Sequence, residues 1–196
     1  MRTTEFNWIR FLESGDDAHF SVIYNNVIDD LFAYGISLGF LKESCKDAVQ
    51  DVFIKIYLSR KKLSHIDNIT GYIFKAFKNR LIDIKKSNHI KDSIDSHLDN
   101  FAIKVTVLDN IIDSETAVIL KEKINQLLNN ITPNQREAVY LKYVVGLQHK
   151  EIGRILNIKE ESARKLLYRA MGQLRKLASV EDLQKKAALF SVLHLL

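Results

Sequence analysis

Five side chains near the end of this 196-residue chain, Ser162, Arg164, Lys165, Tyr168 and Arg169, are linked by the three- and four-residue intervals that gather groups on one side of a helix. Hydroxyl and cationic groups so placed reach base edges and phosphates when the N-terminal half of the helix lies in a DNA major groove. A second set, Asp47, Gln50 and Asp51, lies opposite an apolar stripe of Cys45, Ala48, Val49, Val52, Phe53 and Ile56. An acidic and amide patch on a chain of net charge +5 points to a protein partner rather than DNA. A third set, Lys75, Lys78, Asn79, Lys85 and Lys86 with Tyr72 and Phe74 among them, suits a charged, unstacked strand, although a core role explains Phe74 better. Catalysis is not expected. The chain has no phosphate-binding glycine loop, dinucleotide fingerprint, nucleophile elbow or zinc spacing, and its six histidines do not pair with acids or with Cys45. No metal, cofactor or small-molecule substrate is expected.

The elements that position the first set are marked by their own residues. Thr132-Pro133-Asn134-Gln135 reads as an N-cap threonine, a proline at the first helical position and a glutamine that returns the bond, so a helix begins at Pro133 and ends at Gly146. Its apolar residues include Ala138, Val139, Leu141, Tyr143 and Val144. A short helix from about His149 to Leu156, a turn at Asn157 and a longer helix from about Lys159 follow. Ile152, Gly153, Leu156, Ile158, Ala163 and Leu167 supply the small and branched residues that a steep helix crossing needs. The result is a helix-turn-helix with Lys159, Ser162, Arg164, Lys165, Tyr168 and Arg169 toward DNA. Glu160 and Glu161 favour the helix dipole but repel phosphate; they either accept from cytosine amino groups or point away.

The whole chain contains one proline and seven glycines and no sustained alternation of apolar and polar residues, which predicts an all-α protein. Helices are expected over His19 to Gly39, Glu43 to Leu58, Asn68 to Lys86 and Thr116 to Asn130, with a polar loop at Ser59 to Asp67. The helix after that loop buries Ile73, Phe77, Leu81 and Ile84. Charge divides the chain further: Arg60 to Lys91 holds nine Lys/Arg against two acids, Lys91 to Glu115 two lysines against six acids, and Leu141 to Leu177 nine Lys/Arg against three acids. The expected organisation is two small helical domains, 1–88 and 115–178, with an acidic linker over 89–114 and a tail over 179–196. The tail, ending AALFSVLHLL, either docks on its own domain or covers a partner or membrane surface. The single Cys45, read as a buried small residue, and the absence of a signal-peptide or membrane-spanning apolar run predict a cytoplasmic protein.

The run ITPNQREAVYLKYVVGLQHKEIGRILNIKEESARKLLYRAMGQLRKL resembles region 4 of the extracytoplasmic-function group of sigma-70 family RNA polymerase sigma factors. The likeness rests on Pro133, Arg136 and Glu137, on Glu151-Ile152, and on Leu166 to Ala170, and is nearest to versions common in Bacteroidetes. Cys45 to Phe53 resembles sigma region 2.2, and Asn79, Asp83 and Lys86 match the run of regions 2.3 and 2.4. Lys159 departs from the Ser or Asn that usually caps the recognition helix. The resemblance implies that Asp47, Gln50, Asp51 and Phe53 dock on the β′ coiled coil of core RNA polymerase. It implies that Arg60, Lys61, Lys62, His65, Lys75, Lys78, Asn79, Lys85 and Lys86 hold the −10 promoter element, the loop capturing a flipped base. The helix-turn-helix would read the −35 element beside the polymerase β flap. A membrane-anchored anti-sigma factor, often tied to nutrient uptake at the outer membrane, is the implied regulatory partner. The acidic linker would thread a basic channel of the polymerase, a role that a plain flexible tether explains equally well.

Two other functions fit parts of the same pattern: an autonomous helix-turn-helix regulator with an N-terminal sensor or interaction domain, and an interaction protein that imitates such a factor.

Overall fold

The computed structural model describes residues 3–88, 101–102 and 124–180; it is all-helical, and the chain divides into two compact units at Leu98 and Asp99. The first unit contains α1 (Thr3–Ser14), α2 (Asp17–Ser37), α3 (Lys42–Leu58), a single 3-10 turn (Arg60–Leu63) and α4 (Ile69–Asn88). Asp16 starts α2 by accepting a hydrogen bond from the Ala18 N–H at 2.8 Å, and Asn68 does the same for α4 through the Gly71 N–H. The core is one apolar layer shared by all four helices: Trp8 and Phe11, then Ile23, Leu31 and Tyr34, then Cys45 and Ile56, and finally Ile73, Phe74, Phe77 and Leu81. Ile84 of the expected stripe is only half-buried.

Helix α1 was not expected, because Phe6 and Ile9 face outward and blur its stripe. Long-range bonds hold it. The Trp8 indole donates to the Ile66 carbonyl at 3.0 Å, and the Thr70 hydroxyl donates to the Glu5 carboxylate at 2.9 Å, so α1 pins the loop before α4 and the first turn of α4 itself. The Ser59 to Asp67 segment is thereby a braced turn rather than a free polar loop.

The second unit contains helical residues 124–129 (α5), α6 (Pro133–Tyr143), α7 (His149–Leu156) and α8 (Glu160–Val180). Helix α6 starts where the capping signal places it: the Thr132 N–H donates to Gln135 Oε1 at 2.9 Å and the Gln135 N–H to Thr132 Oγ1 at 3.3 Å. It ends at Tyr143, three residues before Gly146, whose φ of 74° turns the chain into α7. Tyr143 and Val144 are half-buried, and the core residues here are Tyr140, Val145 and Leu147. Phe101, inside the stretch read as a linker, is buried with its ring edge-on to Tyr140 at 5.7 Å. The acidic stretch otherwise, the expected start of α5 and the tail beyond Val180 lie outside the described residues.

Candidate functional site

In the second unit, Asn157 ends α7 with φ 55° and ψ 40°, the left-handed conformation that asparagine tolerates, and the Ile158 N–H donates back to the Gly153 carbonyl at 2.9 Å. A Cβ on Gly153 would lie 2.8 Å from the Ile158 carbonyl oxygen, so only glycine permits this crossing of α7 and α8. Ile152, Ile155, Ala163, Leu167 and Ala170 fill the angle between the helices. Ile158, expected to pack there, is instead 38% exposed because the left-handed turn swings it outward.

The packing leaves Ser162, Arg164, Lys165, Tyr168 and Arg169 on the open face of α8 and Lys159 exposed just before it, with Tyr168 79% exposed. Glu160 and Glu161 turn along the helix rather than away from it: Glu160 pairs with Arg164 at 3.6 Å and Glu161 with Lys165 at 2.8 Å. Two cations that would meet DNA are therefore held by carboxylates one turn earlier.

In the first unit, α3 presents Asp47, Gln50 and Asp51 to solvent. Phe53 does not join them. It is buried, with its ring edge-on to Tyr24 at 4.9 Å and Phe20 at 5.8 Å, because it lies on the apolar stripe of α3, beneath the face that carries Asp47, Gln50 and Asp51. Beside Gln50 an apolar groove of about 540 Å³ runs between α2 and α3, lined by Tyr24, Phe53, Ile54, Tyr57 and Leu58.

The turn before α4 exposes Lys61, Lys62 and His65, but Arg60 is directed inward. Its guanidinium donates to the Phe11 carbonyl at 3.3 Å and lies 5.5 Å from the centre of the Phe11 ring, so Arg60 anchors the turn to α1 instead of facing a nucleic acid. On α4, Asn79 and Lys86 are exposed and Lys75 and Lys78 half-exposed. Lys85, expected on the open face, has its ammonium nitrogen buried without a hydrogen-bond partner. Phe74 is fully buried against Tyr34, which leaves Tyr72 as the aromatic available beside the lysines.

A contact that the sequence did not disclose joins the two surfaces of this unit. Arg80 Nε of α4 donates to Asp51 Oδ2 of α3 at 2.6 Å, across a cleft of about 620 Å³ that Lys55, Tyr72, Lys75, Asn79 and Asp83 also line. The sequence signal for it was only a lone arginine among lysines on α4. Among the described residues there is no cluster able to hold a metal ion and no helix long and apolar enough to cross a membrane.

One unit is thus a helix-turn-helix with a cationic open face, and the other sets an acidic face beside a basic helix. Residues 121–174 match the family described as Sigma-70, region 4. The chain is 25% identical over 156 residues to the ECF RNA polymerase sigma factor SigM of Bacillus subtilis (strain 168), covering 79% of this chain and 92% of that one. Its fold is similar to that of CnrH, solved in complex with the cytosolic domain of CnrY, with a TM-score of 0.56, 15% identity, and coverage of 92% of this chain and 100% of that one. It is likewise similar to a chain of the complex of the sigma factor RpoE with the anti-sigma factor NepR from Bartonella quintana, with a TM-score of 0.54, 18% identity, and coverage of 83% of this chain and 98% of that one. The matched module is a sigma-70 region 4, and the sequence relatives to which this chain is similar over most of its length are extracytoplasmic-function RNA polymerase sigma factors.

Proposed function

We propose that this chain is an alternative sigma factor that binds core RNA polymerase, directs it to a set of promoters and leaves the chemistry of RNA synthesis to the polymerase. The observation that carries the reading is the region 4 helix-turn-helix with Lys159 and five polar and cationic side chains of α8 exposed. Asp47, Gln50 and Asp51 dock on the β′ coiled coil. Lys61, Lys62, His65, Lys75, Lys78, Asn79 and Lys86 hold the −10 element, and the second unit reads the −35 element beside the β flap. An anti-sigma partner is supported by the RpoE–NepR complex among the similar structures. That this partner is anchored in the membrane follows from the family resemblance alone, and the nearness to the Bacteroidetes versions of the family rests on the match from Ile131 to Leu177.

The test adds purified protein to core polymerase and a promoter library and reads promoter-dependent transcripts. Initiation from a restricted promoter set is expected. Tight operator binding by the chain alone, with no transcript from any promoter, would identify an autonomous regulator instead.

A further inference from the structure

Asp51 and Arg80 belong to different helices and, in the reading above, to different tasks: Asp51 lies on the polymerase-facing side of α3, Arg80 on the helix that carries the −10 lysines. Yet they form one ion pair at 2.6 Å, each side chain a little under half exposed. Both groups reach solvent, so an outside charge can compete for either one. Arg80 is also the one described arginine on α4, and a guanidinium presents a planar fork that matches a phosphate better than the lysines around it do.

We propose that Arg80 is a promoter-contact residue kept in reserve by Asp51, and that docking of polymerase on Asp51 releases it. When a cation of the polymerase engages the Asp51 carboxylate, the Arg80 guanidinium loses its partner while remaining beside Tyr72, Lys75 and Asn79 at the cleft. It then exchanges a carboxylate for a phosphate of the −10 strand. In the free protein the same pair removes one cation from the DNA-facing helix, which lowers its affinity for arbitrary DNA and makes promoter engagement depend on polymerase. The pair is thus a thermodynamic coupling between two sites. This inference rests on the proposed assignment of α3 to polymerase and α4 to DNA.

The full-length free chain is titrated with a labelled single-stranded oligonucleotide of mixed sequence over a series of salt concentrations. The wild type is compared with Asp51→Asn, Arg80→Ala and the double variant. Release of Arg80 predicts that Asp51→Asn tightens binding several-fold and steepens the log–log salt dependence by about 0.7, one phosphate contact on a single strand. Arg80→Ala binds as the wild type does, and the double variant shows none of the gain. A gain that survives in the double variant would mean that Asp51 merely repels DNA, and no gain in Asp51→Asn would mean that Arg80 does not reach it; either result overturns the proposal. With core polymerase present, Arg80→Ala is expected to lower open-complex yield on a responsive promoter about tenfold, the net weight of one hydrogen bond to a charged group. If the free-chain cycle succeeds and no promoter responds to wild-type protein, the sigma-factor reading and release by polymerase both fail, and only the restraint of Arg80 by Asp51 against nucleic acid stands.

Discussion

At the scale of single residues, charge and burial decide which groups can act. Cys45 lies on the buried side of α3 against Gly35, and burial pushes its thiol up to about 11. A raised pKa means that the folded protein holds the proton more tightly than the unfolded chain does. The corresponding stability is present below about pH 9 and is lost as pH rises through about 11. Thiol-reactive dyes are therefore expected to label Cys45 only as fast as the protein unfolds, and rapid labelling at neutral pH would contradict its burial. On α3, Asp51→Lys is expected to weaken co-purification with core polymerase while the melting curve stays nearly fixed. The Asp51–Arg80 pair that it breaks is half-exposed, and such pairs contribute at most about 1 kcal/mol. On α8, Arg164→Ala is expected to reduce promoter use chiefly through the upstream element, because Arg164 can leave Glu160 for a base edge or phosphate. Equal activity on wild-type and scrambled upstream sequence would remove Arg164 from the reading face.

At the scale of elements, the helix-turn-helix depends on one close approach. Gly153→Ala drives a methyl group against the Ile158 carbonyl, and overpacking of this kind costs about 1–3 kcal/mol. The variant is expected to lose thermal stability in the second unit and to bind upstream-element DNA poorly with no contact residue altered; a wild-type melting curve would show that the turn can open without cost. The first unit depends instead on a brace. Trp8 holds the Ile66 carbonyl and Arg60 holds that of Phe11, so α1 fixes from behind the turn whose Lys61, Lys62 and His65 face outward.

At the scale of the whole molecule, in the proposed function the two units on one chain would raise each other's effective concentration on a promoter that carries both elements, so modest affinities would suffice for each. Phe101 ties the beginning of the second unit to Tyr140 of α6. Phe101→Ala removes a fully buried ring at a cost of about 3–5 kcal/mol and is expected to lower the melting temperature and upstream-element binding together. A chain indistinguishable from wild type would return residue 101 to the linker.

The sequence by itself determined what local chemistry controls: the capping box at Thr132, the turn at Asn157, the glycine at the crossing, the apolar stripe of α3 and the polar faces of α3 and α8. Caps, turns and helical periodicity are set within a few residues, so they can be read in one dimension. Tertiary structure decided whatever depends on a partner far along the chain. It turned Arg60 from a loop cation into an anchor on Phe11, buried the Lys85 ammonium, withdrew Phe53 beneath the surface and made α1 a brace through Ile66, 58 residues from Trp8. It also joined Asp51 to Arg80 across 29 positions. A long charged or aromatic side chain reaches several ångströms in any direction, and only the packed neighbours choose which.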